Sequence, residues 1–298
     1  MTYSIVARDP ATGEFGVAVQ SHYFSVGSVV PWVEAGVGAV ATQAFGELSY
    51  GPLGLDRMRE GSSAANALSA LVAADSDSEH RQVAFVDAAG NVATHTGGLC
   101  IAHAGHRHGN GVSVQANMME RDTVPGAMLT AYQATSGDLA ARLLAALDAA
   151  EGEGGDIRGR QSAAIAIASG EKQDQPWKGR LLELRVEDHP EPVIELQRLV
   201  QMHRAYRLAH EAERAATAGD LDVATEKIRH ALQLAPGNPE IAFWAAMGAA
   251  TAGQMPLAKQ LLAQAVAADP RWPELARRLP ATGMFPLSDE ALGELTET

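Results

Sequence analysis

A threonine stands directly behind the initiator methionine in the opening stretch MTYSIVARDP. Methionine aminopeptidases remove Met1 when the second residue is small, and the mature chain would then begin with a free α-amine on Thr2. One residue would hold both parts of a nucleophilic system: a hydroxyl to attack, and an amine of pKa near ~7.7–8.0 to take its proton without a histidine. The plainer account is a strand residue after a start codon, because β-type alternation begins at once. Other chemistry-bearing groups are sparse. Cys100 is the sole cysteine, which excludes an intrachain disulfide and a cysteine-based zinc cluster, and it reads as a small buried hydrophobe. His103, His106 and His108 in HAGHRHGNG, with His95 upstream, sit among glycines and read as a polar turn. A metal would require convergent imidazoles, usually with a carboxylate. The stretches GEFG and GGLC lack phosphate-loop spacing. No metal and no cofactor is expected.

The elements that must position these groups change character along the chain. TYSIVARD, the turn cluster PATGE and FGVAVQS predict a β-hairpin over residues 2–21. GVGAVATQAF at 36–45 predicts a strand whose small residues allow close approach to its backbone. Leu55, Met58, Ala65, Leu68 and Leu71 recur at helical spacing and predict one or two helices over 53–74. RQVAFVDAAGNVATHTG reads as a second hairpin and GVSVQANMM as a strand, followed by helices near 125–134 and 138–150. SAAIAIAS and LLELRVED return to strand character, and KQDQPWK between them reads as a flexible loop. In that loop Trp177 either folds over a pocket or packs on the sheet. The order of strands, helices, strands, helices and strands predicts an α+β layered domain over 1–196.

From Pro192 the composition turns to Ala/Leu-rich helix, with a second domain expected over 197–298. GDLDVATEKIRHALQLAPGNP from Gly219 aligns with GQMPLAKQLLAQAVAADPRWP from Gly253, an offset of 34 residues. Small residues at the helix crossings and a proline after the second helix give this period a tetratricopeptide-like signature. Such a short array is expected to serve packing or oligomerisation, or to offer a groove to a protein partner. The 298 residues carry a formal charge of −13, which argues against nucleic acid as a partner. Neither a membrane-length apolar run nor a signal-peptide pattern is evident, so the expected location is the cytoplasm.

The second strand resembles that of proteasomal β-subunits and their bacterial two-ring relatives. There an acidic residue ends the strand, a Ser/Thr follows four places later and a glycine comes after one more; the matching positions are Ser21, Ser25 and Gly27. GAVATQAF is similar in placement to the strand whose backbone amide forms their oxyanion hole, which implies Gln43 and Ala44 beside Thr2. GGDIRGRQSAA resembles the late segment that orients the nucleophile, with Asp156 at the acidic position. More extensively, TYSIVARDPATGEFGVAVQS, GSVVPWVEAGVGAVATQA, YGPLGLDRMREG, GGDIRGRQSAA and LRVEDHPEPVIEL resemble a widespread bacterial family, domain of unknown function number 1028, grouped with the N-terminal nucleophile (Ntn) hydrolases. This resemblance implies the four-layer αββα Ntn fold, with a helical C-terminal extension.

With Thr2 in place, the same resemblance implies an amidohydrolase acting through Thr2; it supplies no substrate, and a small amide, ureido or lactam compound suits a cytoplasmic enzyme better than a protein does. Its pocket would be lined by Thr2, Ser21, Gln43, Asn117 and Asp156; Asn117 is added for its own place at the end of the GVSVQANMM strand, where it would donate to an oxyanion or cap the strand. The chain departs from the proteasomal pattern where charge is needed: Ser21 replaces the aspartate, and residues 22–57 contain no lysine. His22, Arg158 or Arg160 would replace the missing charge by lowering the amine pKa, with Arg160 and Gln161 the preferred substitutes. An arginine there would also suit bidentate recognition of a substrate carboxylate. These departures equally suit an inactive Ntn-fold scaffold that binds partners. A third reading retains Met1 and gives the chemistry to Ser21 or His22. A homo-oligomer is expected, most simply a dimer.

Overall fold

The computed structural model describes residues 2–283 and 285–297. The expectation that Met1 is removed therefore falls on a residue outside those described. The chain forms two compact units, Met1–Leu199 and Val200–Thr298.

In chain order the first unit runs β1 (Thr2–Arg8), β2 (Phe15–Ser21), β3 (Pro31–Glu34), β4 (Gly38–Ala44), α1 (Tyr50–Arg59), α2 (Ala64–Ala74), β5 (Arg81–Asp87) and β6 (Val92–Thr96). It continues through β7 (Gly105–Gly109), β8 (Val112–Asn117), α3 (Val124–Ala134), α4 (Leu139–Gly152), β9 (Ser162–Ala168) and β10 (Arg180–Val186), then enters α5 (Pro192–Ala218). The strands make two antiparallel sheets, one of six strands in the order β10-β9-β2-β1-β8-β7 and one of four in the order β3-β4-β5-β6.

Period-two alternation decides which side chains meet between the sheets. Val6, Val17, Val19 and Ala164 of the larger sheet pack with Ala39, Ala41, Ala84 and Val86 of the smaller one. Continuing the same phase toward one end of each strand gives Thr2 and Ser4 on β1, Ser21 on β2, Gln43 on β4, Gln82 on β5 and Ser162 on β9, all buried. The layer between the sheets is thus apolar over most of its length and polar at one end.

Helices cover the outer faces. Val40, Val83 and Phe85 on the smaller sheet pack under Tyr50, Leu55 and Met58 of α1 and Ala67 and Leu68 of α2. On the larger sheet Gly16 lets α4 close in, since a Cβ there would stand 2.6 Å from Leu143. The register Thr2↔Ser21 to Arg8↔Phe15 is continuous across the first hairpin. At its turn Asp9 accepts from the Ala11 amide at 2.8 Å, and Gly13 takes φ +77°, a conformation that favours glycine.

In the second unit α6 (Leu221–Leu234), α7 (Pro239–Thr251), α8 (Met255–Ala268), α9 (Trp272–Arg278) and α10 (Asp289–Thr296) follow α5. The chain thus holds ten helices among the described residues. Helices α6 and α8 have equal lengths of 14 residues and start at 221 and 255. Phe243, Met247, Leu262 and Leu295 are buried among small alanines at the centre. Among the described residues no helix is long and apolar enough to cross a membrane.

Several local expectations differ from the structure. His106 and His108 stand on the edge strand β7, paired with β8 from Gly105↔Ala116 to Gly109↔Val112, rather than in a turn, while His103 precedes the strand. Cys100 is half-buried, with its thiol donating to the Arg81 carbonyl at 3.3 Å. Trp177 is 70% exposed in the connection from the end of β9 to the start of β10. It neither packs on the sheet nor covers the Thr2 end, because β9 runs away from Ser162. Part of that connection, Pro176–Gly179, is a 3-10 turn.

Candidate active site

Thr2 begins β1 between two neighbours, with Ser21 opposite on β2 and Asn117 opposite on β8. Its Oγ1 donates to Ser21 Oγ at 3.0 Å, and the residue is only 4% exposed. From the facing sheet, Gln43 Nε2 donates to the Thr2 carbonyl at 3.1 Å. Asn117 Nδ2 approaches the same carbonyl at 3.4 Å. Both amides also donate to Gln82 Oε1, at 2.8 and 2.9 Å respectively.

Gln82 is the hub of this end of the molecule. Its Nε2 donates to the Ala116 carbonyl at 2.9 Å, to Thr96 Oγ1 at 3.1 Å and to the Gly105 carbonyl at 3.2 Å. Thr96 Oγ1 in turn meets His106 Nδ1 at 2.9 Å. Hydrogen bonds therefore run unbroken from Thr2 through neutral amides and a hydroxyl to an imidazole on the edge strand. Burial, then the positive neighbours His108, Arg107 and His95, hold the His106 pKa below its ordinary value. Gln82 was not foreseen, although its phase in RQVAFVD, shared with Ala84 and Val86, marks it as inward-facing.

Asp156 closes the same end from the larger sheet. Its buried carboxylate accepts from the Arg158 amide at 3.0 Å, from the Arg158 guanidinium at 2.9 and 3.1 Å, and from the His22 amide at 3.1 Å. It therefore brackets the chain just beyond Ser21 rather than touching Thr2. Ser162, the neighbour of Ser21 on β9, donates to the Tyr23 carbonyl at 2.5 Å and accepts from the Val26 amide at 3.0 Å.

The remaining candidates lie apart. Arg160 pairs with Glu151 and Glu191, and Glu151 also accepts from the Tyr3 hydroxyl. Tyr3 occupies the opposite phase of β1, and burial followed by the Glu151 charge pushes its pKa well up. Gln161 donates to Asp188 at 3.1 Å. The Ser25 amide donates to the Glu187 carbonyl at 3.0 Å, and Ser25 itself takes φ +57°. The half-buried His22 has no hydrogen-bond partner for its Nδ1 among the described residues. Thr2, Ser21, Gln43 and Asn117 are thus brought together, Asp156 and Arg158 flank them, and Arg160, Gln161 and Ser25 are directed elsewhere. Each side chain that hydrogen-bonds Thr2 among the described residues is neutral.

Backbone strain collects at the same end. Ala44, directly after Gln43, has φ +71°, and Met118, directly after Asn117, has φ +56°. Such non-glycine outliers gather where a site over-determines its backbone. No group of three or more His, Cys, Asp or Glu side chains able to hold a metal ion occurs among the described residues.

Two antiparallel sheets packed through a layer that turns polar at the Thr2 end define an α/β protein with a helical C-terminal region. The chain belongs to the DUF1028 family, a family of unknown function whose model matches residues 2–196. It is similar to a crystal structure of a protein from Silicibacter pomeroyi assigned to the same family, with 33% identity and a TM-score of 0.60, over 67% of this chain and 88% of that one. No curated protein matches the chain.

Proposed function

We propose that the protein is an Ntn-type amidohydrolase whose nucleophile is Thr2, exposed as the chain terminus once Met1 is removed. The observation that carries this reading is the Thr2 Oγ1 to Ser21 Oγ hydrogen bond, set at the polar end of an otherwise apolar layer between sheets. The order of helices, sheet, sheet and helices around that layer supports the four-layer αββα architecture that the reading requires.

In the proposed reaction the Thr2 hydroxyl attacks the carbonyl carbon of an amide, ureido or lactam compound, and its proton passes to the Thr2 α-amine. The oxyanion of the tetrahedral intermediate accepts hydrogen bonds from backbone amides of the 42–45 segment. The Thr42 amide already donates to Val30 and the Phe45 amide to His80, and Gln43, two residues before Phe45 and opposite Gln82, turns its amide to β5 as well, which narrows the segment to Ala44. Collapse expels the amine with the proton returned by the α-amine, and water then cleaves the acyl ester. Gln43 and Asn117 hold the Thr2 carbonyl and so fix where the hydroxyl and amine point. The proposed setting is a cytoplasmic enzyme, dimeric in its simplest form.

A second reading, an inactive Ntn-fold scaffold with tetratricopeptide-like helices, rests on one observation: among the described residues, the side chains that hydrogen-bond Thr2 are all neutral. Intact mass and N-terminal sequencing decide the first step. A chain starting at Thr2, together with amide hydrolysis lost in Thr2→Ala by 1,000-fold or more, on the order of a missing nucleophile, is the expected result. Retained Met1 blocks the amine and overturns the mechanism.

A further inference from the structure

Six of the exposed large apolar side chains of the first unit stand in loops at the Thr2 end, while others, Trp177 and Ile194 among them, lie elsewhere in the chain. Tyr23, Phe24, Phe45, Leu99, Ile101 and Ile157 are each exposed by 51 to 72%. Most of them directly follow the site residues in the chain. Tyr23 and Phe24 come two and three places after Ser21, Phe45 two after Gln43, and Ile157 one after Asp156.

Hydrogen bonds join the loops that carry them into one arc. The Phe45 amide donates to His80 at 3.2 Å, and the Leu99 amide to the adjacent Glu79 at 2.9 Å. Ile101 accepts from Met118 at 2.8 Å, and Met118 accepts from Ile157 at 3.2 Å. Asp156 then accepts from the His22 amide at 3.1 Å, which reaches Tyr23. Six such side chains at half exposure or more present on the order of 600 Å² of apolar surface, more than scattered surface residues require.

We propose that this arc is the binding rim of the Thr2 site and that its occupant is the apolar acyl portion of the substrate, which makes the substrate class the amides of hydrophobic carboxylic acids. The inference rests on the hydrolase reading above. A second protein chain seated on the arc would cover the end where Thr2 begins its strand and seal it from any substrate. An acyl chain lying there would bring its carbonyl to Thr2. The exposed area is also below the ~800 Å² that each partner contributes to a standard protein interface. The rim is apolar in its side chains, whereas Thr2, Ser21, Gln43 and Asn117 are polar, and this division suits a molecule with an apolar body and a single amide head.

The test uses p-nitroanilides of straight-chain acids from acetyl to octanoyl, with binding measured calorimetrically on full-length Thr2→Ala, which cannot turn them over. Dissociation constants are expected to tighten about fourfold per added methylene, with that gradient flattened in Thr2→Ala carrying Phe45→Ser or Ile157→Ser. Affinities independent of chain length overturn the proposal. So does a wild-type dimer that the same two rim substitutions convert to monomer in sedimentation, because the arc would then be a contact between copies. The two readings fail separately. Length-dependent binding without cleavage by the wild type sinks the hydrolase reading alone, and cleavage with no length dependence sinks the rim alone.

Discussion

Gln82 is fully buried and shares its side-chain amide among partners from both sheets. Replacing it with leucine keeps much of the volume but removes an acceptor from Gln43 and Asn117 and a donor from the Ala116 carbonyl. Leaving buried polar groups unpaired costs about 1–3 kcal/mol, and Gln82→Leu is expected to lower hydrogen-exchange protection of the β4 and β5 amides by that amount. At the far end of the same chain of hydrogen bonds, His106 is held neutral in the fold by burial and by its positive neighbours. Its pKa is depressed on folding, so its contribution to stability is complete above the unfolded value, near 6.5. That contribution is lost as pH falls through the lower folded value. The variant His106→Asn is expected to flatten the decline of thermal stability on the acid side of 6.5, as followed by circular dichroism. At this scale the sequence was legible only in part. Thr2 was picked out by its place behind Met1, Ser21 and Gln43 by resemblance and Asn117 by its place at a strand end, and the four do converge. The roles of Arg160 and Gln161 were not readable, because strand phase puts Tyr3 and its partner Glu151 opposite Thr2, and Arg160 follows Glu151.

Between the residue and the whole chain, helices are placed by what their glycines omit. A Cβ on Gly51 would stand 2.3 Å from the Trp32 ring and one on Gly54 2.4 Å from Phe85, so α1 lies against the smaller sheet only because both are absent. Asp87 at the end of β5 accepts from the Ala64 amide at 2.9 Å, and Ser63 accepts from the Asn66 amide at 3.3 Å, so that α2 starts at a point fixed by the sheet. Elements with strong periodicity were readable: the first hairpin, β5 with β6, and α4 with its Leu139, Leu143 and Leu147 stripe. The short strands β3 and β7 were not. PWVE is four residues long, and GHRHG has no apolar alternation, because it lies at a sheet edge where charge guards against further pairing. Pairing with β8 makes it a strand, and no local propensity reports that.

The whole molecule carries its cores in separate parts of the sequence. Residues 2–199 bury Val6, Val17 and Val86 between the sheets and Val40, Phe85 and Leu68 under α1 and α2. Residues 200–298 bury Phe243, Met247, Leu262 and Leu295. The change of composition near Pro192 announces this division, whereas the packing inside the helical unit does not follow from the 34-residue period. Phe243 shows why: its ring lies 4.9 Å from both Trp244 and Trp272, centroid to centroid. Trp244 in turn stacks on Phe285 at 5.8 Å. This aromatic cluster joins α7 to the chain beyond α8: Phe243, Trp244 and Phe285 lie outside the aligned segments, and Trp272 stands where the first segment has Asn238. Deleting a fully buried phenylalanine costs about 3–5 kcal/mol through lost transfer energy and the cavity left behind. Phe243→Ala is therefore expected to strip exchange protection from the amides of α7 and α8 by that amount. The amides of β1 and β5 are expected to keep theirs, since no residue of the inter-sheet cluster belongs to the Phe243 cluster. Equal loss in both sets would mean that the helical unit and the sheets unfold as one, and the division at residue 199 would then have no thermodynamic counterpart.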